Sequence, residues 1–130
     1  MRAQEFIKED ITPAELSQVE RFADSLWAKL GIDVEFTHHF IQRVNDPRNV
    51  KPIGAAELVR LFRKEYEQWG KTIKSLDDHD EAVLNDLITN INLPFIIRRP
   101  ADSSRPKELV AKTVMRKQDF KTPDPKYTVK

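Results

Sequence analysis

Apolar positions first recur at helical spacing along this chain and later alternate as in strands. Leu16, Val19, Phe22, Ala23, Leu26, Trp27 and Leu30 fall on one helical stripe. Thr12, Pro13 and Glu15 supply a capping box and a first-turn proline before it, and Gly31 supplies the stop. Ile32–Phe36 alternates like a short strand. Thr37 then caps a short helix through Val44, with Phe40, Ile41 and Val44 on its buried side. Residues 45–53 read as a polar loop. The clearest helix runs from Ala55 to Trp69 and is predicted to end at Gly70. Its apolar face carries Leu58, Val59, Leu61, Phe62, Tyr66 and Trp69, while Arg60, Arg63, Lys64 and Glu67 point away. Asp80 caps a further predicted helix bearing Val83, Leu84, Leu87, Ile88 and Ile91, so the acidic run Asp77–Glu81 reads as capping and dipole complementation.

Beyond Ile91 the period becomes that of strands. Leu93–Arg98 is a predicted strand, with Pro94 suggesting an edge or a strand start. Pro100–Pro106 is a loop, Glu108–Lys117 a second strand, and Tyr127–Val129 a third. The expected class is α+β, with N-terminal helices packed on a small C-terminal antiparallel sheet. The length suits a single domain over residues 1–130. Within it, 1–35 reads as an N-terminal helical extension, 36–117 as a core of helices plus β-hairpin, and 118–130 as a basic tail or edge strand.

Composition changes this picture in two ways. The chain has no cysteine, which removes disulfides, zinc–thiolate sites and thiol nucleophiles. From Ile96 onward Lys and Arg outnumber Asp and Glu ten to four, against twelve to seventeen before it. Such asymmetry points to an anionic partner. No signal-peptide stretch and no membrane-length run is present, so the expectation is a cytoplasmic protein without membrane contact. Glycine-rich phosphate loops, nucleophilic serine motifs and clustered metal ligands are absent from the sequence; no cofactor and no metal are expected.

The candidate chemistry begins on the short helix. His39 and Arg43 are four apart on its polar side and hence neighbours, and Arg48 follows in the loop. An imidazole that exchanges protons near neutrality beside a guanidinium that forks onto phosphate suits phosphodiester chemistry. His38, at the face boundary, reads as packing or capping; His39 is open between that and proton transfer. Lys112, between Val110 and Val114, is either a guard against edge aggregation or a charge aimed into a cleft. Arg116, Lys117 and Lys121 interleave with Phe120 and Tyr127, the basic–aromatic mixture of single-strand binding surfaces.

These elements carry a resemblance. A helix bearing His39-Phe40-Ile41-Gln42-Arg43, another amphipathic helix, and a hairpin ending in Lys112-Thr113-Val114-Met115 resemble the barnase, EndoU, colicin and RelE-like (BECR) superfamily of metal-independent RNases, its phage-encoded members most closely. The likeness spans roughly Phe36 to Val129. It implies an RNA-directed site on the concave face of a curved sheet, with His39 as general acid or base, Arg43 or Arg48 as phosphate ligands, and Lys112 and Thr113 approaching the scissile phosphate. In that mechanism the 2′-hydroxyl attacks its own phosphate, His39 shuttles the proton, and Lys112 with Arg43 stabilises the added charge. The alternative is a non-catalytic phage or virion module on the same scaffold, whose basic C-terminal segment meets a viral or host protein. A third reading has the charge asymmetry serve solubility alone.

Overall fold

The structure is a computed structural model that describes residues 10–49 and 51–130. The first nine residues of the predicted N-terminal segment lie outside that range. Helix α1 (Pro13–Trp27) opens on the predicted capping box: the Glu15 N–H donates to Thr12 Oγ1 at 3.1 Å, and the Thr12 N–H donates to Glu15 Oε1 at 2.8 Å. Leu16, Val19, Ala23 and Trp27 form its buried stripe. A 3-10 turn (Ala28–Leu30) ends at Gly31, whose φ of 74° is the left-handed conformation that glycine enters without Cβ strain.

Strand β1 (Ile32–Phe36) follows, then α2 (His38–Arg43), capped by the Thr37 hydroxyl, and α3 (Ala55–Lys74). β2 (Glu81–Asp86), β3 (Ile91–Arg98), β4 (Lys107–Ala111), β5 (Met115–Arg116) and β6 (Lys126–Val129) complete the molecule. The α+β class holds, but the order is not helices first and sheet last. β1 pairs in parallel with β4 at one edge of a sheet ordered β1-β4-β3-β2-β6, and β6 pairs in parallel with β2 at the other. The interior pairings β2–β3, β3–β4 and β3–β5 are antiparallel. The predicted boundary at residue 35 therefore cuts through β1, and α1 packs on α3 and β1 as part of the helical layer. Carboxylates of α1 cover the free edge of β1: Glu20 accepts the Phe36 N–H at 2.8 Å and Asp24 accepts the Val34 N–H at 2.9 Å. That blunts an edge otherwise open to strand addition.

Trp27, Phe62 and Leu61 of the helices meet Phe95, Leu93 and Leu84 of the sheet, all fully buried. Each contributes about 1.5–3 kcal/mol by leaving water, as an upper estimate. Gly70 does not end α3. The helix runs four residues further, and a Cβ on Gly70 would stand 2.9 Å from Leu30 Cδ1. Its missing side chain lets α3 press against the turn after α1.

The predicted helix after Asp80 is a hairpin, β2–β3, turned by Leu87–Asn90 with Asn90 at φ 62°. Ala82 to Asp86 are buried without a break, so the alternation that marks a half-exposed strand is erased. The acidic run before it forms a turn: Asp80 Oδ2 accepts the Asp77 N–H at 2.7 Å.

Pro94 lies in an interior strand, not at an edge, opposite Val83. The Lys112 N–H donates to the Pro94 carbonyl at 2.9 Å, but proline has no N–H to return. The Lys112 carbonyl accepts the Thr37 hydroxyl instead, at 3.0 Å. Pairing with β3 breaks there, and the predicted strand Glu108–Lys117 is two strands, β4 and β5. Tyr127 is buried against Trp69, their ring centroids 5.0 Å apart, so β6 is core rather than tail. Among the described residues no helix is long and apolar enough to cross a membrane.

Candidate nucleic-acid interface

The break between β4 and β5 opens one wall of a cleft of about 720 Å³. Its other walls are the α2–α3 loop and the β2–β3 turn. Arg43 lines it from the end of α2, Arg48 and Lys51 from the loop, and Thr113, Arg116 and Lys117 from the β5 side. Ile88, Thr89 and Asn90 come from the turn. Five of the residues singled out from sequence thus meet in one place: Arg43, Arg48, Thr113, Arg116 and Lys117.

They do not have the same role there. Arg116 is buried, and all five N–H groups of its guanidinium are used. Nη1 donates to Glu57 Oε2 at 3.1 Å and the Thr89 carbonyl at 2.7 Å; Nη2 donates to Glu57 Oε1 and the Pro52 carbonyl, both at 2.6 Å; Nε donates to the Lys51 carbonyl at 3.2 Å. No donor is left for a phosphate, which corrects its expected role. It staples the loop, the start of α3 and the β2–β3 turn together. Burial alone would raise the Glu57 carboxyl, but the hydrogen bonds from Arg116 and the Gly54 N–H, with the charges of Arg116 and Lys51, hold it below the usual range.

Arg43 and Arg48 both close on Asp46. Arg43 Nη1 reaches Oδ2 at 3.2 Å, and Arg48 forks onto it through Nε at 3.1 Å and Nη2 at 2.9 Å. The Arg48 N–H also donates to Asp46 Oδ1 at 2.8 Å, so the loop turns around this carboxylate. Arg48 remains 72% exposed and Arg43 37%, which leaves both in reach of a ligand. Lys117 is exposed, positioned by its N–H on the Asn90 carbonyl at 2.8 Å.

The other candidates lie elsewhere. His39 is exposed on α2, one turn before Arg43, and does not line the cleft. Lys112 is ion-paired with Glu81, diagonally across β3. Phe120 is half-buried and Lys121 exposed, both outside the cleft lining. Ile41, expected on the buried side of α2, is 44% exposed. Lys51, Asn49, Asn90 and Gln118 line the cleft without having been singled out from sequence. The loop prolines beside Lys51 were its one signal, and they mark a turn, not a site. Among the described residues no three or more histidine or acidic side chains gather as a metal-ligand set.

A buried acid stands behind the β2–β3 turn. Arg60, expected to point away from the core, reaches Asp86 Oδ2 at 2.9 Å, and Asp86 Oδ1 accepts the Ile88 N–H at 2.9 Å. Glu65, with no exposed surface, accepts the Asn85 N–H on Oε2 at 3.2 Å, while Oε1 has no partner. Burial pushes its carboxyl up to about 9; the Asn85 N–H opposes this and the Asp86 charge adds to it. Glu65 is therefore neutral at pH 7. An ionised carboxylate there would be desolvated and repelled by Asp86.

Comparison with protein-family models, with curated proteins and with solved structures finds no match for the chain.

Proposed function

We propose that this chain binds RNA through its phosphate backbone in the cleft between the α2–α3 loop and β5, without cleaving it. The observation that carries the reading is the convergence of Arg43, Arg48, Lys51 and Lys117, from two segments remote in sequence, on one cleft. Arg43 and Arg48 are held in place by Asp46, so a phosphate meets guanidinium groups that have already lost much of their freedom. Asn90 and Thr113 add neutral donors and acceptors suited to ribose hydroxyls. Base stacking contributes little, because Tyr127 is core and no aromatic side chain among the described residues lines the cleft.

Binding is favoured over cleavage because neither His39, the expected proton shuttle, nor Lys112, an expected stabiliser of the added charge, lines the cleft. Fluorescence anisotropy with a labelled single-stranded RNA 20-mer tests the proposal. Arg43→Glu combined with Lys117→Glu is expected to weaken binding about tenfold or more and to reduce the salt dependence by about two phosphate contacts. Unchanged affinity in the double variant overturns the assignment of the cleft. RNA cut in EDTA by the native chain and spared by His39→Ala would replace binding with ribonuclease activity.

A further inference from the structure

At the far end of α3 lies a second basic hollow, of about 390 Å³. Lys29 and Gly31 line it from the turn after α1, Lys74 from the end of α3, Arg99 and Arg105 from the β3–β4 connection, and Lys107 from the start of β4. Among the described residues no carboxylate lines it. The α3 axis, at 1.5 Å per residue, places this hollow about 30 Å from the cleft. Cations from three elements that meet with like charge toward like charge are unfavourable in the free protein, and an anion relieves that repulsion.

The partners of these groups differ. Lys107 Nζ donates to the Lys74 and Leu76 carbonyls at 2.5 and 2.8 Å, closing the end of α3 with a positive charge. Arg99 stands 3.7 Å from Asp77, an exposed pair of little strength. Lys29, Lys74 and Arg105 have no carboxylate within ion-pair distance among the described residues. The space beside Gly31 is open: a Cβ there would have no atom within 4 Å. Burial, then the Arg99 charge and that of Lys74, pull the Lys107 ammonium below the lysine range, with Asp77 and Asp80 opposing.

We propose that this hollow is a phosphate-binding site distinct from the cleft, with Lys29, Lys74 and Arg105 as the ligand-facing cations and Lys107 as their structural anchor. Its occupant carries linked phosphates, either a nucleic-acid backbone or a free oligophosphate. Amide NMR spectra are recorded on the full chain during titration with sodium tripolyphosphate, against sodium chloride at matched ionic strength. Saturable shifts are expected at residues 29–31, 74 and 99–107 with tripolyphosphate only. Lys29→Glu with Arg105→Glu, both exposed positions, is expected to weaken that binding about tenfold. A second titration uses an RNA 10-mer on Arg43→Glu/Lys117→Glu, in which the cleft is disabled. Shifts at the hollow there identify a nucleic-acid backbone as occupant; their absence beside a positive tripolyphosphate titration identifies free oligophosphate. Equal responses to chloride and tripolyphosphate, or tripolyphosphate affinity unchanged by the double substitution, overturn the site.

Discussion

The two basic ends of α3 are built on opposite principles. In the cleft, acids brace the cations: Asp46 gathers Arg43 and Arg48, and Glu57 holds Arg116. In the hollow, cations stand against one another and against helix carbonyls. Bracing orients a guanidinium and takes up some of its donors; a bare cluster keeps its donors free and its side chains loose. The contrast separates two roles of a basic residue that composition cannot tell apart. Arg116 is as charged as Arg105, yet one is buried in a network that holds the fold together and the other is exposed, without an ion-pair partner among the described residues.

The largest test of this contrast is to remove one arginine from each end. Arg116→Ala leaves Glu57 half-buried without its partner and three loop carbonyls without a donor, and is expected to cost about 3–5 kcal/mol in urea unfolding. Arg105→Ala is expected to change stability by less than about 0.5 kcal/mol. A similar loss at both positions would erase the distinction. Acid should also act on the braced end: because the Glu57 carboxyl titrates lower in the fold, its contribution is present above its unfolded value of 4.5 and is lost as pH falls through the lower folded value.

Glu65 sharpens the comparison from the alkaline side. The fold holds a proton on Glu65 between 4.5 and about 9 that the unfolded chain releases. Stability should therefore fall as pH rises through that window, by on the order of 3 kcal/mol between pH 5 and 7 from this group alone. Glu65→Gln, which keeps the neutral shape, should flatten the profile in thermal or urea unfolding at matched pH values. An unflattened profile would show that Glu65 is ionised in the fold. Since Glu65 accepts the Asn85 N–H and its ionisation would repel Asp86, which holds the Ile88 N–H, amide exchange above pH 9 should quicken at residues 85–90 before it does at the hollow.

A smaller effect is expected where the helices touch. Gly70→Ala places a methyl against Leu30 and should cost about 1–3 kcal/mol, depending on how far the Leu30 side chain yields. Because Leu30 lines the hollow, the same substitution should perturb amides there and leave the cleft unmoved. Shifts at the cleft instead would mean that the two ends are coupled through α3.

Much of the local structure was legible in the residues. The capping box at Thr12, the stop at Gly31, the Thr37 cap and the amphipathic face of α3 all follow from interactions within a few positions of chain, and local chemistry decides those before any tertiary contact forms. What misled the reading was burial on both sides. Val83, Leu84, Leu87, Ile88 and Ile91 fit a helical stripe only because β2 hides both faces and the hairpin turn exposes apolar side chains. Pro94 looked like an edge residue because its tolerance depends on a partner far away, the Thr37 hydroxyl that satisfies the Lys112 carbonyl.

The basic C-terminal segment is equally legible as a charge excess that includes Lys117; Arg43 and Arg48 follow from the short helix and its loop, and Thr113 from the family resemblance alone. Sequence by itself determined which residues carry charge, which segments bury an apolar stripe and where helices begin, because those follow from side-chain chemistry and short-range geometry. Only the tertiary structure decided which charges stay exposed and which are spent. Arg116 meets Glu57, Lys112 meets Glu81 and Arg60 meets Asp86 across 59, 31 and 26 positions of chain; the packing of α3 on the sheet sets the first and third, and the strand register across β3 sets the second.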